Sequence, residues 1–426
     1  MTAIEDHPLR YPMANELHAR PFPTLNAPCT ATYLAIKQPV DAANRDRSQD
    51  MAHLVDLLDR YGAPHPQPGA THYFGKIGRH TLKWEQHTEF VTYTAFEDGL
   101  SDRPFDPSEF DVFPQDWLQK APGTRMTSAL IRVAERTSDD DIKKKLEDWF
   151  VPESLAVSRI LDDCAVAAGD FRIDPAGHMR FAVFVDGNTG ERRIGRIVQR
   201  LCEIETYKSI SMLGLSRVRS MSGRMAELET SLTGLIANLT GNEKNADDTL
   251  QELLAISAEL ESLSARSSFR FGATGAYQAL VSQRIEVLRE DRFNGRQTFG
   301  EFMMRRFDPA MRTVASAQER LNAMTGRATR AGDLLRTRVD VERSAQNQTL
   351  LESMDKRADL QLRLQRTVEG LSVVAISYYA LNLVLYVAEP FGKEIGLGKT
   401  WLGAIATPLV ILGVWFAVRR IRKAVE

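Results

Sequence analysis

Residues 368–388 read VEGLSVVAISYYALNLVLYVA and residues 401–418 read WLGAIATPLVILGVWFAV. The first run has one charge, Glu369 in its opening turn, and the second has none. At 1.5 Å of rise per residue these runs make helices of about 31 and 27 Å, the thickness of a bilayer's hydrocarbon core. The connection between them, EPFGKEIGLGKT, balances two acids against two bases. The outer flanks carry Lys356, Arg357, Arg363 and Arg366 on one side and Arg419, Arg420, Arg422 and Lys423 on the other. The positive-inside rule then predicts a two-span protein of a bacterial inner membrane, lipid being its first partner, with both termini cytoplasmic. No charged-then-apolar signal pattern opens the chain, so the body is expected to stay in the cytoplasm. The bland alternative is a helical pair buried in a soluble core.

Working outward, the composition is globular: 43% hydrophobic and 26% charged residues, with a net charge of -2. That near-neutrality gives no whole-chain footprint for nucleic acid. Cys29, Cys164 and Cys202 lie too far apart for a CxxC-type zinc site and fit no disulfide framework.

The first 187 residues read as a mixed α/β domain. Strands are expected at 30–36, 71–77, 81–86, 89–96, 128–134 and 179–185, where β-branched and aromatic residues run between turn residues. Helical spacing marks 49–61 and 140–150. Segment 97–116, with seven acids against one base, reads as a solvated loop. From 190 to 366 the pattern is helical and holds one proline, Pro309. Gly241-Asn242 divides a first helix, about 190–240, from a second, about 246–300. A third stretch runs into the first apolar run without a break. There Val314, Ala317, Leu321, Met324, Ala328, Ala331 and Leu335 keep a 3-4 spacing, a seam for close packing against another copy or against the chain's own helical hairpin. The fold class is therefore α+β. It comprises a cytoplasmic α/β domain with a mixed sheet (1–187), a helical hairpin and long stalk helix (188–366), and a transmembrane hairpin with a basic tail (367–426).

Gln361, Val368, Ala375 and Asn382 recur every seven residues and so share one slowly drifting face that enters the membrane. An amide in lipid is costly, so Asn382 should face another helix or water. Interhelical hydrogen bonding that glues an anchor is the plainer use of the same residue.

This order of elements resembles the CorA-type magnesium channel family, whose members are homopentamers with first spans lining the pore. Their Tyr-Gly-Met-Asn signature is matched in place by Tyr379, Ala380, Leu381 and Asn382, with Ala and Leu replacing the central Gly and Met. The resemblance implies a divalent-cation channel, with magnesium as the ion, a ring of Asn382 side chains as its filter, Glu389 and Glu394 at the outer mouth, and Arg419, Arg420, Arg422 and Lys423 as its basic tail. Beyond a divalent cation, no cofactor is expected. Its competitor is a non-conducting membrane-anchored scaffold or sensor. Separately, Asn15 to Pro23 (NELHARPFP) resembles the opening of a bacterial family described only as uncharacterised membrane-anchored proteins.

Other signals carry less. The stretch from Gly392 to Thr400 imitates a phosphate-binding loop but has one residue too many and no preceding strand, so no nucleotide is expected. Asp139, Asp140 and Asp141 stand before three lysines in the order a helix N-terminus favours, and are the weak candidates for a regulatory metal. His72, His80 and His87 read as strand-surface residues. No nucleophile-base pair or paired carboxylates stand out, so no enzyme activity is expected.

Overall fold

The computed structural model describes residues 4–16, 22–238, 246–394 and 398–425. After a short helix α1 (Arg10–Glu16), the chain forms β1 (Cys29–Lys37), α2 (Arg47–Arg60), β2 (His72–Ile77), β3 (His80–Gln86) and β4 (Phe90–Asp98). Next come α3 (Gln115–Gln119), β5 (Thr124–Glu135), α4 (Asp139–Trp149), β6 (Ala156–Ile160), β7 (Ala165–Gly169) and β8 (Met179–Val185). Helices α5 (Glu191–Asn238) and α6 (Ala246–Glu286) follow, then β9 (Asp291–Arg292), α7 (Phe299–Arg306), α8 (Asp308–Glu394) and α9 (Lys399–Val425).

The nine strands form one sheet in the order β2-β3-β4-β1-β5-β8-β7-β6-β9. It is mixed because β5 and β8 run parallel while the other pairs are antiparallel. Strand β1 lies near the centre, pairing Tyr33 with Thr94 on one side and Ala129 on the other. All nine of its residues are buried, and its side chains alternate between two apolar layers. Ala31, Tyr33 and Ala35 join Ile197, Leu201 and Ile204 of α5 and Phe299 of α7. Leu34 and Ile36 join Leu54 and Leu57 of α2, Trp117 of α3 and Leu146 of α4. Gly195 allows the start of α5 to approach residue 23, since a Cβ there would fall 1.7 Å from the Pro23 carbonyl oxygen.

All six expected strands and both amphipathic helices are present. Strands β6 and β7 are additional: AVSRI and AVAAG are short and rich in small residues, so they lack the alternation that marks a strand. Segment 97–116 departs from the expected solvated loop. Asp106 caps a 3-10 turn at Pro107–Val112, and Phe105, Phe110 and Phe113 are buried while Asp98, Asp102, Asp111 and Asp116 are exposed. The second long helix ends at Glu286, and the chain returns to the sheet through β9 before α7.

Contacts divide the chain into two compact units. One contains residues 1–243 and 251–331; the other contains 244–250 and 332–426. The sheet thus shares its unit with α5, most of α6, α7 and the start of α8. Within that unit the 3-4 seam is buried at Val314, Leu321, Met324, Ala328 and Ala331 and half-buried at Ala317, and Arg327 pairs with Glu229 of α5 at 3.0 Å. One chain therefore fills its own seam. In the second unit Asp247 pairs with Arg343 at 3.1 Å, and side chains from Gln346 to Val368 are exposed.

Candidate functional site

Two helical segments, within Asp308–Phe391 and at Thr400–Ile421, are long and apolar enough to cross a membrane. Their apolar windows are 6% and 0% buried, so neither is a core helix of the described chain. The first contains the site anticipated from sequence.

At 100° per residue, Val373, Ser377, Ala380 and Leu381 share one side of α8. All are buried or half-buried, Ser377 to 7% exposure, which a lone helix cannot achieve. On α9 the half-buried positions Gly403, Ala406, Thr407, Val410 and Val414 form a matching stripe of small and β-branched residues. Gln361, Val368 and Ala375 lie on roughly the opposite side of α8 and are exposed, while Asn382 is half-buried. Tyr379 lies near them and is 69% exposed. The anticipated stripe thus lies on the face of the first span that the chain leaves uncovered at Val368 and Ala375 and partly covers at Asn382. The Tyr379-Ala380-Leu381-Asn382 stretch divides accordingly, with Ala380 and Leu381 toward the covered face.

The Asn382 side chain donates Nδ2–H to the Tyr378 carbonyl at 3.0 Å. That bond satisfies one of its two N–H donors within one helix and leaves the side-chain oxygen as the acceptor end of the group. Glu389 is half-buried further along α8. The side chains of Glu394, Arg422 and Lys423 lie outside the described residues, as do residues 395–397. Arg419 and Arg420 are exposed, with the Arg419 guanidinium 5.0 Å from the Trp415 ring centroid. Below the span Arg363 pairs with Asp359 at 3.2 Å. Arg363 and Arg366 fall away from the stripe, whereas Arg357 falls on it.

The three aspartates before the lysine run lie in the first turn of α4, behind the Ser138 cap, as their order predicts. Asp139 pairs with Arg159 and with Arg136, and Asp141 pairs with Lys145 at 2.7 Å and bonds Thr137 at 2.5 Å. Two of the three carboxylates are therefore engaged by cations of their own chain. Among the described residues no three His, Cys, Asp or Glu side chains gather as metal ligands. His72 pairs with Glu85 and His80 with Ile77 in the β2–β3 register, five residues apart along the hairpin, so the histidines do not converge. His80 donates Nε2–H to the Glu97 carboxylate at 3.0 Å, and burial lowers its pKa against that carboxylate's pull.

Sequence reasoning missed a buried polar layer between the sheet and α5–α6. Lys83 bonds Gln199 at 2.7 Å and pairs with Glu85 at 3.2 Å, Gln199 passes the contact to Glu203, and Glu203 pairs with Arg284. Nearby Glu89, 1% exposed, binds Arg270 of α6 and Lys37 of β1, whose ammonium is pulled below its usual pKa by desolvation. The enclosed space there is about 30 Å³, the scale of a bound water and too small for a substrate. Partners 116 and 181 residues apart leave no local sequence signal.

Comparison with curated proteins returns no match. The sequence pattern of the family described as protein of unknown function DUF3422 matches residues 5–425, and with that coverage the chain belongs to this family.

Proposed function

We propose that this protein is a self-assembling, CorA-like conductor of divalent cations, with magnesium the first candidate, in a bacterial inner membrane. Both termini face the cytoplasm, and first spans from several copies line the path. One observation carries this reading: Gln361, Val368 and Ala375 lie on a face that is left uncovered, with Asn382 half-buried at its edge, while the opposite face is covered. A two-helix hairpin cannot enclose water, so an uncovered polar face in lipid calls for further copies. The CorA-type resemblance sets their number at five. A ring drawing one Asn382 oxygen from each copy suits a hard cation that keeps its hydration shell. Glu389 and Glu394 raise the local cation concentration at the outer mouth, opposed by Lys393 and Lys399.

A second reading, a non-conducting anchored scaffold or sensor, is favoured by two particular observations. Asn382 already has a partner in its own helix. Arg357 lies on the stripe face, where a ring of guanidiniums would oppose cations. The test is magnesium flux into proteoliposomes, paired with mass measurement in detergent. Asn382→Leu should abolish flux and leave assembly intact, because it keeps the side-chain volume and removes the oxygen. A monomer or dimer, absent flux in the parent protein, or unchanged flux in the variant moves the assignment to the scaffold.

A further inference from the structure

Away from the spans, the apolar core beneath the sheet opens to the surface in a groove of about 320 Å³. Its walls come from β5, α5, α7 and the segment after β7. Phe302, Met303 and Phe307 continue the core outward, and Met126 and Phe171 pack against it. Met212, at the mouth, is 37% exposed. Thioether and aromatic side chains suit apolar ligands because they adapt to irregular shapes.

Phe171 gives the groove its floor at an energetic cost. Its φ is +52°, a region that a bulky L-residue seldom occupies, and it stacks on Phe302 with centroids 4.4 Å apart. The conformation is held from both sides. Asp170, fully buried, accepts from the Val151 and Arg172 backbone N–H groups, and Arg172 bonds Ser154 at 2.7 Å. Maintained strain in a surface groove marks a site shaped for something other than stability.

The groove also has a charged end. The Lys208 ammonium lies 5.1 Å from the Phe171 centroid and the Arg306 guanidinium 5.8 Å from that of Phe302. Lys208 is neutralised by Glu205 at 2.8 Å; Arg306 has no ion pair among the described residues. One uncompensated positive charge beside an apolar trough is complementary to one negative charge on an apolar tail.

We propose that this groove binds a medium-chain or long-chain carboxylate, its tail along Phe171, Met126 and Phe302 and its head between Arg306 and Lys208. A single polymethylene chain fits the space.

The experiment uses the full-length protein in phosphatidylcholine nanodiscs with a diazirine-bearing decanoate. Photolabelling should fall on peptides containing Met126, Met212 and Met303, and should be competed by decanoate but not by decanol or decyltrimethylammonium. Lys208→Gln with Arg306→Gln should lower this labelling about tenfold, the scale of one lost charge-assisted contact. Labelling by the corresponding diazirine decanol should not change. If circular dichroism shows that pair to be misfolded, Met212→Glu, at an exposed position, should give the same loss by like-charge repulsion. Labelling confined to the apolar spans, or equal competition by decanol, overturns the proposal. Displacement by an acidic amphipathic peptide, but not by decanoate, assigns the groove to a protein partner and also overturns it.

Discussion

Glu290 shows how one side chain can set an element in place. Its carboxylate accepts from the Phe299 and Gly300 backbone N–H groups at 2.9 and 2.8 Å, and from Ser158 of β6, so it fastens the start of α7 to the sheet. Burial raises its pKa above the ordinary 4.5, and those three hydrogen bonds only partly offset the effect. A folded-state pKa above the unfolded one means that the folded protein holds the proton more tightly. The stabilisation is complete below pH 4.5 and is lost as pH rises through the raised value. Glu290→Gln keeps an acceptor oxygen and removes this titration. The stability of the parent relative to this variant should therefore fall between acid and neutral pH, as read from urea unfolding midpoints. Glu290→Ala, which strips two helix N–H groups of their acceptor, should cost about 2–4 kcal/mol at acid pH and less at neutral pH. An unchanged midpoint in the Ala variant would remove Glu290 from this role.

At the scale of elements, α8 presents one continuous pattern in two environments. Its early part is a buried seam, with Ala328 1% and Ala331 4% exposed, and these small residues let neighbouring helices approach closely. Ala328→Leu should overpack that contact and cost about 1–3 kcal/mol in thermal or urea unfolding. Ala375→Leu, on the uncovered face of the span, should leave the unfolding of the sheet unit unchanged. Equal effects from the two substitutions would mean that the seam is not packed as described. The 97–116 segment gives the converse lesson. Its acids made it read as solvated, yet aromatic residues spaced among those acids bury themselves under a 3-10 turn. Net charge described its outer face and hid its inner one.

For the whole molecule, basic flanks outside both spans and a connection of balanced charge predict that the two ends lie on the same side of the membrane. Reporters fused ahead of Met1 and after Glu426 should both give cytoplasmic signals. A periplasmic signal from either fusion would overturn the topology. Reporters should not be placed inside β1, because that strand is buried along its whole length and pairs with both β4 and β5.

The sequence by itself determined the elements whose physics is local. Uninterrupted apolar runs marked the spans, 3.6-residue periodicity marked the long helices, and β-branched alternation marked six strands. It also determined the seven-residue stripe, because helical geometry fixes which residues share a face. Only the tertiary structure decided what covers each face. It buried most of the seam within one chain, left the Val368 and Ala375 side of the first span open, and brought Phe171 beside Phe302 and Glu89 beside Arg270. It also supplied β6, β7 and β9, whose short or small-residue segments become strands because neighbouring strands satisfy their backbone hydrogen bonds. These outcomes depend on contacts between residues far apart in the chain, and periodicity within a single segment does not encode them.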